Sequence, residues 1–261
     1  MGISSRGRTV RRAAIASAIA ALLCASLGSC SQKEQLRSEA VASSSAVTFS
    51  AGAVQLAGRL FGTGDARAGV VLAHMLPADQ TAWFDLAARL AGRGYRVLTF
   101  NFRGYCPGGD GGCSEGERDV GSAPTDLAAA VAFLRTQGVA MVAVVGASFG
   151  GSAALVVAGR EGDAIEAVMT LSAPEVIEDL SVTNETLAAI TAAKLYVAAS
   201  GDTVAAAAAQ RFYDITSQPK RLEIVTSDDH GTDLLEGNQG ANVRNLIESF
   251  LLSQMAPAGA G

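Results

Sequence analysis

The sequence predicts an α/β domain in which a mostly parallel sheet of the eight-stranded type carries helices on both faces. Short apolar, β-favouring runs alternate along the chain with longer alanine-rich stretches of helical character. This alternation is expected of a parallel sheet, because parallel neighbours need crossover connections. The 261 residues are 49% apolar and 17% charged, which is enough apolar material for one sizeable core.

The individual elements follow from this pattern in chain order. Segments 46–50 and 55–61 have no helix between them and are expected to form an antiparallel edge. Buried strands are expected at 70–73, 96–100, 141–145, 167–171, 195–199 and 222–226. Helices are expected at 81–91, 126–135, 149–159, 204–215 and 241–252. Ligands bind at the carboxyl ends of such strands, so catalytic residues should directly follow strands.

The first 29 residues have the pattern of an export signal. Four arginines and no acidic residue precede an apolar stretch at 13–27, which is too short for a typical membrane-spanning helix. Leu27-Gly28-Ser29-Cys30 resembles the lipobox of bacterial lipoproteins, which implies a diacylglyceryl group on Cys30. The alternative is an ordinary cleaved signal with an incidental cysteine. The pair Arg11-Arg12 also bears a faint resemblance to a twin-arginine signal.

Removal of residues 1–29 takes away four arginines and makes the formal net charge −9 instead of −5. An acidic surface offers no electrostatic footprint for nucleic acid or for anionic lipid headgroups, so membrane association is expected through the N-terminal lipid alone. Segment 30–46 is polar and lacks aromatic residues, as expected of a flexible tether. The predicted domain then covers 47–255, and 256–261 is expected to be a disordered tail.

Cys106 and Cys113 lie in one glycine-rich loop. In an exported domain they are expected to form a disulfide, which would stabilise the fold by about 2.5 kcal/mol in the chain-entropy model. Two free thiols or half of a metal site are the alternatives, but no second Cys or His cluster is present to complete tetrahedral zinc. No metal and no organic cofactor is expected.

Gly146-Ala147-Ser148-Phe149-Gly150 is a G-x-S-x-G pattern that follows a predicted strand and opens a predicted helix. With 29 glycines the chain could produce the bare pattern by chance, as a glycine-lined turn. The strand-to-helix context favours a nucleophile, because the tight turn exposes the hydroxyl of Ser148. The N–H of Phe149 and the helix dipole would then face a developing oxyanion.

A nucleophilic serine needs a base, and the chain has only two histidines, His74 and His230. His230 lies in a polar loop after the last predicted strand, where a catalytic role is favoured over simple exposure. Asp202 follows another strand end and is the preferred acid, although it is also a typical helix cap. Asp228 and Asp229 are rival acids whose adjacency to His230 makes contact with its ring awkward.

The order Ser148, Asp202, His230 resembles that of the α/β-hydrolase superfamily, and the resemblance covers essentially the whole predicted domain. In that family a His-Gly pair follows the strand that ends near residue 73, and the next residue donates the second oxyanion N–H. The corresponding residues here are His74-Met75-Leu76, which implies that Leu76 is the donor. Met75 in place of glycine is a departure that puts the oxyanion geometry in question. His74 is then expected to orient this loop.

Residues 94–104 resemble the family's fourth strand and the arginine-glycine turn after it, with Asn101 where many members have aspartate. That change is expected to affect loop packing only. Residues 172–193 leave no room for a large cap, so we expect an open site shaped by the Cys106 to Cys113 loop. The scaffold most resembles dienelactone hydrolases and small carboxylesterases, although the cysteine nucleophile usual there is absent.

The expected function is hydrolysis of carboxylic esters, thioesters or small amides through an acyl-enzyme on Ser148. One alternative is an envelope acyltransferase with the same triad. Another is a catalytically silent lipoprotein that uses the scaffold for binding, an idea motivated by Met75. The expected partners are a small acyl substrate and the membrane through the lipid on Cys30, with no nucleic acid. The chain is expected to be an exported monomer, anchored to the cell envelope and facing outside the cytoplasm.

Overall fold

Eight strands of the computed structural model, which describes residue 35 and residues 37–256, form one sheet. Two short strands pair with each other as a separate hairpin. In chain order the strands are β1 (Ser45–Ala51), β2 (Val54–Phe61), β3 (Ala68–Ala73), β4 (Arg96–Phe100), β5 (Met141–Ala147), β6 (Ala167–Leu171), β7 (Val176–Ile177), β8 (Leu180–Ser181), β9 (Ala193–Ala199) and β10 (Lys220–Val225).

The strands of the sheet follow the order β1-β2-β4-β3-β5-β6-β9-β10. β2 pairs antiparallel with both β1 and β4, whereas all neighbours from β4 to β10 are parallel. The predicted antiparallel edge and the predicted parallel sheet are therefore confirmed. Because the parallel strands share one direction, the carboxyl ends of β3, β5, β9 and β10 lie along one edge of the sheet. The residues predicted to be catalytic follow these ends.

Helices cover both faces of the sheet. In the described residues they are α1 (residues 37–42), α2 (Phe84–Gly92), α3 (Ala123–Thr136), α4 (Phe149–Glu161), α5 (Asn184–Ala189), α6 (Thr203–Ile215) and α7 (Gly240–Gln254). The core on one face contains residues of α3, α4, α5 and α6, and the core on the other face contains residues of α1, α2 and α7. We call these the first core and the second core.

Strand β3 shows why continuous apolar runs predict the positions of the strands. Val71 and Ala73 lie in the first core, whereas Val70 and Leu72 lie in the second, and all four are buried. Successive side chains of a strand point to opposite faces, so a strand covered on both faces is apolar at every position. The helices between the strands lie where the alanine-rich stretches predict them, with boundaries that differ by a few residues.

The segment expected to be a flexible tether, 30–46, has regular structure in its second half. Residues 37–42 form α1, where Ala40 is buried in the second core and the Arg37 guanidinium lies 5.7 Å from the ring centroid of Phe84. Strand β1 begins at Ser45, before the predicted domain start at residue 47. Ala40 and the partly buried Val41 make the contact with the second core, and the polar composition of the segment gives little sign of it.

Other predictions concern residues beyond the described part of the chain. The export signal at 1–29, the lipidation site Cys30 and residues 257–261 of the tail all lie outside it. Among the residues that are described, no helix has the length and apolarity needed to cross a bilayer.

The connection between β6 and β9, at 172–192, contains only the β7–β8 hairpin and the short helix α5. The family that the sequence resembles places its cap insertion here, so the predicted absence of a large cap is confirmed. The carboxyl edge of the sheet is consequently bordered by short loops.

The glycine-rich loop after β4 is closed by a disulfide between Cys106 and Cys113, as predicted. Buried side chains hold it as well, because the amide nitrogens of Gln80 and Asn101 both donate to the carbonyl of Gly111, at 2.6 and 2.7 Å. The Asn101 oxygen accepts a hydrogen bond from the backbone N–H of Gln80 at 2.9 Å. Asn101 therefore supplies a donor that an aspartate would lack, which explains the departure at this position.

We expect Asn101→Asp to destabilise the fold by about 3 kcal/mol at pH 7.5, because a buried carboxylate would face the Gly111 carbonyl without a proton to donate. Burial raises the pKa of such a carboxyl, so the loss should shrink as the pH falls and the proton returns. Urea unfolding at pH 7.5 and pH 5 measures both effects. Asn242→Asp, at an exposed position on α7, is the matched control and should change little. Equal stability of the two variants would contradict the assigned role of Asn101.

Candidate active site

Ser148 occupies a strained turn between β5 and α4, with φ 49° and ψ −122°. A positive φ is unfavourable for a residue with a side chain and persists only where the surroundings impose it. The Ser148 N–H donates to the carbonyl of Leu171 at 2.8 Å, which continues the β5–β6 pairing into the turn. The predicted nucleophile thus has the backbone conformation that the G-x-S-x-G motif requires.

The two glycines of the motif and the glycine that follows it explain how the surroundings impose this turn. A Cβ on Gly146 would overlap the carbonyl of Gly150, and a Cβ on Gly150 would lie 2.5 Å from the carbonyl oxygen of His74. A Cβ on Gly151 would lie 2.8 Å from that of Ala173. Helix α4 can therefore begin directly beside β3 and β6 only because these three positions have no side chain.

Asp202 and His230 form the contact that the sequence predicts. Oδ2 of Asp202 lies 2.6 Å from Nδ1 of His230. Oδ1 of the same carboxylate accepts a hydrogen bond from the N–H of Ala205 at 3.3 Å and caps helix α6. The acid and the helix cap, which are alternatives in the sequence, are therefore two uses of one side chain.

The rival carboxylates are directed elsewhere. Asp229 accepts a hydrogen bond from the hydroxyl of Ser227 at 2.5 Å. Asp228 lies against Gly201, where a Cβ would overlap its carboxylate. This leaves Asp202 as the carboxylate in contact with the His230 ring.

Ser148 and His230 are brought to the same place by their neighbours in the chain. Gly231, which follows His230, lies against Ala147, which precedes Ser148, and a Cβ on Gly231 would be 3.5 Å from that of Ala147. Among the described residues the hydroxyl of Ser148 makes no hydrogen bond, to His230 or to any other group. The structure therefore brings the predicted acid and the predicted base into direct contact and places the predicted nucleophile beside the loop that contains His230.

The two predicted oxyanion donors have free N–H groups. Within the described part of the chain, neither Phe149 nor Leu76 donates its backbone N–H to any acceptor. Phe149 is the first residue of α4, where the N–H has no intrahelical partner and the helix dipole is positive. A free donor at each of these positions is what stabilisation of a carbonyl oxyanion needs.

His74 is fully buried beside the predicted oxyanion donor and contacts two backbone groups. Its Nδ1 lies 3.0 Å from the carbonyl oxygen of Met75, and its Nε2 lies 3.2 Å from the N–H of Phe102. This pairing assigns the ring proton to Nδ1, which donates, while Nε2 accepts. Burial lowers the pKa of His74 to about 4, so the ring is neutral at pH 7.

Tyr105 brings the disulfide-closed loop to the site, a contact that the sequence does not reveal. Its ring centroid lies 4.6 Å from that of His74 and 6.4 Å from that of Phe149. Farther along, Arg118 pairs with Glu178 of the β7–β8 hairpin at 2.8 Å. Tyr105 lies far from His74 and Phe149 in the sequence, and no periodic pattern links these three residues.

A cavity of about 290 Å³ lies away from these residues, between the β1–β2 edge and the disulfide-closed loop. Arg59, Gln80 and Asp110 line it, but Arg59 already donates to Asp110 and Ser44, and Gln80 is held by Gly111. These three polar side chains thus already make hydrogen bonds within the protein. Among the described residues, no group of three or more His, Cys, Asp or Glu side chains is arranged to hold a metal ion.

Comparisons with known proteins agree with this architecture. A family model described as the alpha/beta hydrolase fold matches residues 70–224, more than half of the chain. The match includes Ser148 and Asp202 and ends just before His230. No curated protein sequence matches the chain.

Three solved structures illustrate the likeness. An esterase from Pyrococcus furiosus has a TM-score of 0.68 and 18% identity, covering 81% of this chain and 91% of its own. Dienelactone hydrolase from Anabaena variabilis has a TM-score of 0.67 and 20% identity, covering 81% and 97%. Est1E from Butyrivibrio proteoclasticus, solved with ferulic acid, has a TM-score of 0.67 and 16% identity, covering 80% and 99%. At these identities the likeness concerns the fold.

We expect the His74 ring to stay neutral in the folded protein until the pH approaches about 4, whereas an unfolded histidine takes up a proton near pH 6.5. The unfolded state then binds more protons between these values, so stability is complete above pH 6.5 and falls as the pH drops towards 4. Between pH 7.5 and pH 5 the loss through this group is about 2 kcal/mol. NMR titration of the ring and urea unfolding of wild type and His74→Gln measure it. A midpoint near 6.5 in the folded protein would refute the expectation.

Proposed function

Because the chain belongs to the α/β-hydrolase family, we propose that it is a serine hydrolase that cleaves carboxylic esters through an acyl-enzyme on Ser148. The observation that carries the proposal is the 2.6 Å contact between Asp202 and His230 beside the strained turn at Ser148. A helix cap alone would not need a histidine on its second oxygen. A strained serine without a base nearby would have no proton acceptor.

In the proposed reaction the hydroxyl of Ser148 attacks the acyl carbonyl and His230 takes its proton. Asp202 holds Nδ1 of the ring and stabilises the imidazolium. The N–H groups of Phe149 and Leu76 hold the oxyanion of the tetrahedral intermediate. His230 then donates the proton to the leaving alcohol, and the reverse sequence with water releases the acid. This mechanism needs neither a metal nor an organic cofactor.

The absence of a large cap supports small or exposed acyl substrates. The loops beside the site are the disulfide-closed loop and the short connection at 172–192, so no large domain has to move before a substrate enters. The solved neighbours include esterases and a dienelactone hydrolase, and all of these names are consistent with ester or lactone cleavage. We propose short-chain carboxylic esters as the substrate class, with thioesters and small amides as chemically related possibilities.

We expect Ser148→Ala to lower kcat for p-nitrophenyl acetate by at least about 10³-fold and to abolish labelling by a fluorophosphonate probe. Asp202→Asn should lower kcat by about 10³- to 10⁴-fold, because the amide favours the wrong ring tautomer. His230→Gln should likewise remove turnover. Stopped-assay kinetics and gel-based probe labelling measure these effects.

Ser172→Ala is the matched control for the serine substitution. Ser172 follows β6 as Ser148 follows β5, has φ 54° and is fully buried, and its hydroxyl has no hydrogen-bond partner in the described residues. This variant should keep wild-type labelling. If the wild type shows neither turnover nor labelling, the proposed function is refuted. If Ser148→Ala is still labelled, the nucleophile is a residue other than Ser148.

We further propose that the enzyme is exported and held at the cell envelope by lipid on Cys30. The support is the arginine-rich start, the apolar stretch at 13–27 and the lipobox-like Leu27-Gly28-Ser29-Cys30. The acidic charge that remains after cleavage favours a lipid over an electrostatic membrane contact.

Cys30→Ser should move the full-length protein from the membrane fraction of a bacterial host to the soluble fraction and remove about 0.8 kcal/mol of membrane affinity per buried acyl CH₂. Metabolic labelling with a radioactive fatty acid, followed by fractionation, tests this. Cys24→Ser lies within the signal and is the control that should keep both the label and the membrane location. An unlabelled wild type would support the ordinary cleaved signal instead.

A further inference from the structure

Three residues that flank the proposed functional groups meet at one point. Met75 precedes the oxyanion donor Leu76, Ala147 precedes Ser148, and Gly231 follows His230. A Cβ on Gly231 would overlap the sulfur of Met75 and would lie 3.5 Å from the Cβ of Ala147. Gly231 is therefore enclosed between the other two residues. We call this contact of Met75, Ala147 and Gly231 the clamp.

The sulfur of Met75 also satisfies a backbone donor of the base loop. The N–H of Thr232 lies 3.4 Å from the sulfur, at the start of the one-turn helix Gly231–Leu235. The first N–H groups of a helix have no partner within it, and Thr232 is buried, so water does not replace the sulfur easily. A glycine at position 75, as is usual in the family, would leave this N–H without its acceptor.

Gly231 is fitted to this arrangement in conformation as well as in size. Its φ of 57° lies in the left-handed region that residues with side chains rarely adopt. Met75 is buried in the second core, beside strand residues and residues of α7. The methionine is thus anchored on one side by the core and touches the base loop on the other.

On the basis of the proposed function, we infer that Met75 is a positioning residue that holds the His230 loop at a fixed distance from Ser148 and from the N–H of Leu76. Its side chain fills the space between the oxyanion loop and the base loop, and its sulfur ties the two by the hydrogen bond from Thr232. Met75 is larger than the family's glycine, and Gly231 leaves the space that its side chain needs. Met75 itself touches no substrate.

The reason such a residue affects the rate is geometric. The Asp202 carboxylate holds one nitrogen of the His230 ring, but 43% of the His230 side chain is exposed and little else restrains the ring. A displacement of about 1 Å between nucleophile and base can cost about 10²-fold in rate. The clamp restrains the backbone next to His230, so loosening it should reduce kcat more than it changes KM.

The test compares Met75→Leu with Met169→Leu in the full-length protein. Both side chains are buried in the second core, but Met169 lies in β6, and within the described residues the sulfur that accepts the Thr232 N–H is that of Met75. We expect Met75→Leu to lower kcat for p-nitrophenyl acetate by about 10-fold or more, with KM within about threefold, and to shift the pH midpoint of kcat/KM. Met169→Leu should keep wild-type kcat and the wild-type pH profile.

Two further variants separate size from hydrogen bonding. Met75→Gly carries the residue usual in the family, and we expect it to lose kcat despite that match. Met75→Gln offers an amide oxygen as an acceptor for the Thr232 N–H, so it should retain more kcat than Met75→Leu. If Met75→Leu and Met75→Gly both keep the kcat and pH profile of Met169→Leu, the inference is overturned. If Met75→Gln is no better than Met75→Leu, the hydrogen bond has no part in positioning.

A readout that needs no turnover distinguishes this inference from the proposed function. Amide hydrogen exchange of Thr232, followed by NMR, should be at least about tenfold faster in Met75→Leu than in wild type and unchanged in Met169→Leu, because only the first variant removes the acceptor. An unchanged Thr232 exchange rate would overturn the clamp even in an active enzyme. An inactive wild type with the expected exchange rates would refute only the proposed function.

Discussion

The close approach of helix α4 to the carboxyl ends of β3 and β6 is the constraint on which the rest of the site depends. The approach is possible because Gly146, Gly150 and Gly151 have no side chain. A Cβ at any of these positions would collide with another segment of the protein. With the helix fixed there, Ser148 has a φ of 49°, and within the described residues the N–H of Phe149 donates to no acceptor. The positions of the proposed nucleophile and of one proposed oxyanion donor are thus consequences of one packing requirement.

The parallel sheet supplies the other groups at little structural cost. Asp202 and His230 follow neighbouring strands, β9 and β10, whose carboxyl ends lie side by side. One carboxylate oxygen of Asp202 caps α6 and the other contacts His230. The Asp202 side chain is therefore fixed by the same hydrogen bond that stabilises the start of the helix. A group that has a structural task in addition to its proposed catalytic task is held rigidly, which favours reaction through fixed geometry.

The sequence predicts the sheet, its antiparallel edge and the Asp202–His230 contact because these depend on local patterns: apolar strands buried on both faces, and polar residues just after them. The β7–β8 hairpin and α5 are too short for periodicity to indicate. Helix α1 contacts the core through Ala40 and Val41, too few apolar residues to give a periodic pattern. The contact between Met75 and Gly231 joins residues far apart in sequence, and neither residue type indicates which residue it will contact. Tertiary packing decides such pairs, and no periodic signal accompanies it.

The two departures from the family pattern bear on whether the site is intact. Asn101 stands where aspartate is common, and its amide donates to the carbonyl of Gly111 in the disulfide-closed loop. Met75 stands where glycine is common, and its sulfur lies against Gly231 and Thr232 while the N–H of Leu76 remains free of internal acceptors in the described chain. The alternative of a catalytically silent scaffold was suggested by Met75, which replaces the family's glycine beside the predicted oxyanion donor. That suggestion weakens because the Met75 side chain packs against the second core and the His230 loop, while the Leu76 N–H keeps no internal acceptor in the described residues. A substitution that had only lost a function would not be expected to face a glycine across the site, at a position where a Cβ would overlap the methionine sulfur.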